Sequence, residues 1–185
     1  MKRNWAWVLG VALLVTAAAQ GAEEHPYKTA KVGDWVSYKN TVSLPTGQKM
    51  ESPMKQVVTA KDETSVTLKV TTEAAGQSYD SEQKIDLTKE WTGVPEMPNA
   101  KVEKLEEGKE DAKAGEKSYA CNWVKYKISA EVNGVATVNN AKIWTSKDVP
   151  LGGLVRMEMA TDMDVGGTKM TTQMVMELTG SGKAE

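Results

Sequence analysis

Phenylalanine is absent from this chain of 185 residues, and cysteine and histidine each occur once. Without phenylalanine, a hydrophobic core has to be assembled from Val, Leu, Ile, Met, Tyr and Trp. The lone Cys121 cannot form a disulfide within the chain, which leaves a buried thiol, an intermolecular bridge or a metal ligand. Because Tyr119 and Trp123 fall on the same face of a strand as Cys121, we expect the thiol to be buried.

The shortage of histidine weighs against catalysis. The single His25 lies a few residues after a predicted cleavage site, so a Ser–His–Asp or Cys–His arrangement has no credible base. Structural zinc spacing and a glycine-rich phosphate loop are also missing. A cluster of carboxylates occurs in a mixed-charge run typical of a solvated face: Glu103, Glu106, Glu107, Glu110 and Asp111. We therefore expect no enzymatic activity and no cofactor.

No basic stripe runs along the chain. Removal of Lys2 and Arg3 with a leader would leave 21 basic against 25 acidic residues, a net charge of −4. These charges are interspersed, which argues against binding to nucleic acid or to an anionic membrane surface.

Residues 1–22 have the features of a secretory signal-peptide helix. Lys2 and Arg3 precede an apolar stretch, and small residues follow, which places the cleavage site after Ala19 or Ala22. The apolar stretch is short for a membrane span, and no stop-transfer pattern follows it. We expect a periplasmic or secreted protein with no stable membrane span after cleavage, and a flexible segment at residues 23–30.

The remaining chain alternates apolar and polar residues with a period of two, which predicts strands. We expect one all-β domain over residues 31–179, an antiparallel curved sheet or open half-barrel of about eight to ten strands, with a disordered tail at 180–185. A closed sandwich is the alternative. Residues 88–100 are predicted to form a loop, and the charged residues 101–117 an edge strand, with a short helix at 100–107 as the alternative. The predicted strands cover residues 32–42, 48–60, 65–72, 77–87, 118–132, 135–146 and both arms of 154–178.

Two hairpins have a predictable register. Asn133-Gly134 is a strong two-residue turn signal, and residues whose numbers sum to 267 then face each other, which pairs Trp123 with Trp144. Around Gly166-Gly167 the sum is 333, which pairs Arg156 with Glu177 on one face. The opposite face of this second hairpin carries six methionines: Met157, Met159, Met163, Met170, Met174 and Met176. A slip by one residue would move all of them into water, so the pattern fixes the register.

Three interpretations of this methionine ladder remain open. It is ordinary core packing, in which methionine fills gaps as phenylalanine would elsewhere. Alternatively, it lines a concave groove that takes up an acyl chain or another hydrophobic small molecule. In the third interpretation, four thioethers bind Cu(I), namely Met157, Met159, Met174 and Met176.

Two stretches resemble a group of uncharacterised secreted bacterial β-proteins. One is Val32–Val36 with Tyr38, and the other runs from Gly115 through Cys121 to Val155. The architecture of that group is similar to the LolA/LolB lipoprotein-carrier superfamily. The resemblance implies a curved, incomplete antiparallel sheet whose concave side holds acyl chains. It assigns no binding residue, and the six methionines follow from the ladder alone.

The sequence thus favours an exported, non-catalytic binding protein with a hydrophobic or acyl ligand on a methionine-lined concave face. Two alternatives stay open. One is a structural or protein-interaction domain of the envelope with a filled core, expected to expose an apolar patch at Trp91 or at the Trp123–Trp144 pair. The other is a periplasmic Cu(I)-binding protein.

Overall fold

The computed structural model describes residues 25–89, 100–132, 135–165 and 167–183, and these form nine strands in one open antiparallel sheet. The predicted all-β class is therefore confirmed. The strands are β1 (Trp35–Ser43), β2 (Lys49–Lys61), β3 (Ser65–Ala74), β4 (Gln77–Asp86), β5 (Lys101–Ala114), β6 (Lys117–Val132), β7 (Val135–Thr145), β8 (Leu154–Val165) and β9 (Thr168–Gly182). The predicted signal peptide, Trp91, and the turn residues Asn133, Gly134 and Gly166 lie outside the described residues.

The strand order is β4-β3-β2-β1-β9-β8-β7-β6-β5. Two meanders, β1–β4 and β5–β9, are joined by the antiparallel pairing of β1 with β9. The edge strands β4 and β5 are consecutive in the chain. They run in the same direction, because each neighbouring pair is antiparallel and eight steps separate them. The end of β4 and the start of β5 therefore lie at opposite ends of the sheet.

The predicted edge strand at the charged segment is confirmed as β5, and its first residues pair with β6 from Lys101 opposite Ser129. The alternative helix at 100–107 is wrong. Lysine and acidic side chains are interspersed along this edge and discourage pairing with another chain.

Proline within a sheet is usually confined to an edge strand or a bulge, yet Pro53 belongs to β2, which lies between β1 and β3. Pro53 is opposite Lys39 of β1, whereas the pairing with β3 begins only at Met54. The missing N–H of Pro53 therefore falls where β2 has a single neighbour, which explains how an inner strand tolerates it.

The sheet buries one of its own faces. This inner face carries Val36, Tyr38, Met157 and Met176, exposed by 3% or less. The sheet is strongly bent, since β5 comes within 8 Å of β8 and β9 between Cα atoms. A flat sheet would keep β5 about 14 Å from β8. Because the described residues contain no second sheet and no helix, the sheet buries this face by wrapping around it.

Residues 25–34 seal one end of the inner face, which we call the sealed end. The Gly33 amide donates to the Val58 carbonyl at 2.9 Å, and the Lys61 ammonium donates to the Ala30 carbonyl at 2.8 Å. Tyr27 is fully buried. The structure thus differs from the expected flexible segment at 23–30, because residues 25–30 pack on the ends of β1 and β2. The opposite end, where β1 ends and β8 turns into β9, we call the open end.

The structure also corrects the expected tail at 180–185, because β9 continues to Gly182. The indole of Trp35 on β1 lies directly over β9 here. A Cβ added at Gly182 would stand 2.3 Å from the Trp35 ring, and one at Gly180 would stand 3.3 Å from it. Glycine at these alternate positions lets the ring cover the strand and holds the end of β9 in the sheet.

The outer face carries a transverse row of paired side chains. In register, Glu177 is opposite Arg156, Arg156 is opposite Trp144, and Trp144 is opposite Trp123. Arg156 forms an ion pair with Glu177. Both predicted registers, with sums of 267 and 333, are thereby confirmed. At the end of this row, Gly108 of β5 lies beneath the Trp123 indole.

Among the described residues, no helix has the length and apolar character needed to cross a membrane.

Gly108→Ala should lower the free energy of unfolding by about 1–3 kcal/mol, because the added Cβ would stand 2.8 Å from the Trp123 ring. Urea denaturation measures the change. In a Trp123→Leu background the same substitution should cost much less. An equal loss of stability in both backgrounds would show that contact with the Trp123 indole does not destabilise Gly108→Ala.

The turn between β2 and β3 depends on an ionised Asp62. Hydrogen bonds from the Ser65 hydroxyl and from the Thr64 amide lower the pKa of Asp62 from 3.8 to about 2. A lowered pKa in the folded state contributes stability above pH 4 that is lost as the pH falls towards 2. Asp62→Asn should therefore reduce the loss of stability between pH 4 and pH 2, measured by thermal unfolding. Glu63→Gln, an exposed change in the same turn, should leave that loss unaltered; an equal effect of both variants would contradict the assignment.

Candidate functional site

The methionine ladder lies on the inner face in the predicted register. Met157 is opposite Met176, Met159 opposite Met174, and Met163 opposite Met170. The first four are buried, with exposed fractions of 0%, 3%, 8% and 8% in that order. Met163 and Met170, nearest to the open end, are only half-buried. The ladder therefore runs from the closed interior of the sheet to a partly exposed rim.

The neighbouring strands extend this apolar surface on both sides. On β7, Ile143 is opposite Met157 and Ala141 is opposite Met159. On β1, Val42 is opposite Met174 and is half-buried. Beyond it, Met50 of β2 faces Val42. At the level of the Met159–Met174 pair the inner face is thus apolar across five strands, β2, β1, β9, β8 and β7, with methionine at its centre.

One polar rung interrupts the ladder between its buried and half-buried parts. Thr161 is opposite Thr172, and its hydroxyl donates to the Asn139 Oδ1 at 2.6 Å. Because these groups satisfy each other, the rung adds polarity without an unpaired acceptor on Asn139.

Two buried carbonyl oxygens on the inner face have no hydrogen-bond donor among the described residues. They are Asn40 Oδ1 on β1 and Gln56 Oε1 on β2. Asn40 is opposite Met176, at the level of the Met157–Met176 pair. Gln56 is 2% exposed and lies nearer the sealed end, opposite Val36. The sequence analysis missed both, although each occupies an inward position in an alternating strand.

The ionisable groups nearest the ladder show that this interior is poorly solvated. Burial raises the pKa of Tyr38 well above its usual value, and the neighbouring Tyr27 adds to the shift. Burial also raises the pKa of Tyr126, on β6. A charged ligand group would meet the same desolvation cost here.

The predicted burial of Cys121 is confirmed, at 4% exposure. Desolvation raises its pKa, so the thiolate needed for nucleophilic attack is disfavoured.

The four methionines of the Cu(I) hypothesis lie on two adjacent pairs of the ladder. Their deep burial means that an ion could reach them only through the packed interior. The described residues contain no group of three or more His, Cys, Asp or Glu side chains placed to hold a metal. Thioether ligation stays a prediction.

The Trp123–Trp144 pair does not form the exposed apolar patch that the structural-domain hypothesis expects. Trp144 is 7% exposed, its indole N–H donates to Glu110 Oε1 at 2.5 Å, and the Lys142 ammonium lies 4.4 Å from both indole rings. The hydrogen bond between Trp144 and Glu110 was not predicted, because it joins β7 to β5 across the intervening strand β6.

An open, polar depression of about 490 Å³ lies on the surface at the sealed end. It is lined by Thr64, Ser65, Lys84, Asp86 and Thr88, and none of the six methionines borders it.

The burial of each methionine in the ladder predicts how much stability is lost when its side chain is shortened to that of alanine. Met157→Ala should lower the free energy of unfolding by about 2–5 kcal/mol, because it leaves a cavity in a closed interior. Met163→Ala, at the half-buried rim, should cost less than about 1 kcal/mol. Equilibrium urea unfolding of the two variants measures the difference. Equal losses would contradict the gradient of burial along the ladder.

Comparisons with known proteins give two loose structural neighbours. No protein-family model matches the chain, and no curated protein matches its sequence. An S-type phycobiliprotein lyase from Guillardia theta superposes with a TM-score of 0.39 and 10% identity, covering 84% of this chain and 90% of the other. A LolA superfamily protein from Nitrosomonas europaea superposes with a TM-score of 0.26 and 8% identity, covering 83% and 86%. At these TM-scores, neither neighbour assigns a ligand or an activity to this chain.

Proposed function

We propose that this chain is an exported, non-catalytic binding protein that takes up a hydrophobic ligand with an alkyl chain at the open end of the inner face. The proposal rests on one observation, the decrease in side-chain burial along the methionine ladder towards the open end. From the buried Met157–Met176 pair to the half-buried Met163–Met170 pair the ladder carries no charged residue, and one uncharged polar rung, Thr161–Thr172, interrupts its methionines. A bound chain would extend the buried interior towards the rim.

The chemistry of methionine suits such a ligand. Its side chain is unbranched and its thioether is polarizable, so a row of methionines adapts to chains of different shape. Each methylene that leaves water contributes about 0.8 kcal/mol, so a long chain can bind without polar contacts. We expect low specificity for the chain itself.

Export is part of the proposal and is supported by residues 1–22, whose charged start, apolar centre and small-residue end are typical of a signal peptide. Kinship with the secreted proteins of LolA/LolB-like architecture is also part of it, on the motifs at Val32–Val36 and Gly115–Val155. The absence of catalysis is also part of the proposal; the burial of Cys121 disfavours that thiol as a nucleophile.

Binding of the fluorescent apolar probe 1-N-phenylnaphthylamine tests the proposal. Met163→Lys should weaken binding at least tenfold, because a charge at the rim opposes entry of an apolar molecule. Ala160→Lys is the matched control, since Ala160 is three residues away on β8 and belongs to the outer face. It should leave the affinity unchanged, and urea unfolding establishes that both variants fold.

Two outcomes would reject the proposal. One is a wild-type protein that does not enhance probe fluorescence, as expected for a domain with a filled core. The other is equal weakening by both lysine variants, which would place the probe elsewhere.

A further inference from the structure

The unpaired carbonyl oxygen of Asn40 indicates what kind of head group the ligand carries. Asn40 Oδ1 is buried and accepts no hydrogen bond within the described part of the chain. A buried acceptor without a donor costs about 1–3 kcal/mol, so a group that supplies the donor is favoured at this position. Asn40 neighbours Met176, at the inner end of the methionine ladder.

The position of Asn40 fits the depth of the ladder. From the level of Met157 to that of Met163, six residues of extended strand span about 20 Å. Because Met157 and Met159 are buried in the packed interior, a molecule whose polar group meets Asn40 would displace these flexible side chains as its chain lies along the ladder, with the tail towards the open end. Tyr38, which is 2% exposed, separates Asn40 from the deeper Gln56 on the same face. Asn40 is thus the first unpaired acceptor that a ligand entering from the open end would meet.

The surroundings of Asn40 disfavour a charged head group. Its in-register neighbours on the inner face are Ser52 and Met176, followed by Met157. At the same level, the nearest charged inner-face residue of the described chain is Glu107, which lies on the far edge strand and pairs with Lys104 at 2.6 Å. A carboxylate beside Asn40 would find no cation at this level of the described sheet, and it would lose its hydration.

We propose that the ligand is an uncharged amphiphile whose hydroxyl or amide N–H donates a hydrogen bond to Asn40 Oδ1, with its alkyl chain along the methionine ladder. This inference rests on the proposed function and adds the class of ligand. Long-chain alcohols, amides and monoacylglycerols belong to this class, whereas ionised fatty acids do not.

Displacement of 1-N-phenylnaphthylamine by three dodecyl-sized compounds tests the inference. 1-Dodecanol has a hydroxyl donor, its isomer 1-methoxyundecane has an ether oxygen and no donor, and dodecanoate is charged. For the wild type, 1-dodecanol should displace the probe at a concentration roughly tenfold lower than 1-methoxyundecane, as one hydrogen bond to a buried acceptor predicts. Nonspecific partitioning would give the reverse order, because the ether is the more hydrophobic compound. Dodecanoate at pH 8 should be weaker than 1-dodecanol.

Two variants locate the acceptor. In Asn40→Leu the preference for the alcohol over the ether should disappear. Gln56→Leu removes the same kind of group from a deeper position and should retain the preference. Because each result is a ratio within one variant, a change in overall stability does not affect it.

The outcomes separate the two proposals. Displacement by all three compounds without a preference for the alcohol would overturn the head-group assignment and leave the hydrophobic site in place. The head-group assignment would also be overturned if Asn40→Leu kept the preference for the alcohol, or if dodecanoate were the strongest of the three competitors. In both cases the hydrophobic site would remain. A protein that binds no probe and none of the compounds would overturn both.

Discussion

A single layer of antiparallel sheet has to bury one of its own faces, and the rest of the structure depends on this constraint. A flat sheet of nine strands would leave that face in water. Here the sheet bends until β5 approaches β8 and β9, while residues 25–34 seal one end. The pairing of β1 with β9 is decisive, because it joins the two meanders into one surface with a common interior.

Contacts on the outer face link neighbouring strands of the sheet. Tryptophan rings lie over glycines in two places, Trp35 over Gly180 and Gly182, and Trp123 over Gly108. In each place the absent Cβ lets a ring cover the backbone of the neighbouring strand. The ion pair between Arg156 and Glu177 adds a polar link across β8 and β9. Because these side chains are only partly buried, the glycine–tryptophan contacts matter more for the geometry than the charges do.

The inner face combines two properties that rarely coincide in an ordinary core. Most of it is apolar and deformable, owing to the methionines of the ladder, yet the amide oxygens of Asn40 and Gln56 have no hydrogen-bond partner among the described residues. Replacing either amide with leucine would remove the penalty of a buried acceptor. An amide at this position is consistent with a partner that is not part of the chain.

The sequence by itself determined the strands, the two hairpin registers and the common face of the six methionines. These features are local: the period of two and the glycine turns relate residues that are close along the chain. Sequence patterns did not reveal the β1–β9 pairing, the burial of Tyr27, or the position of Asn40 beside Met176. Those depend on strands far apart in sequence, and only the curved tertiary structure brings them together, because the free energy of burial decides which distant faces meet.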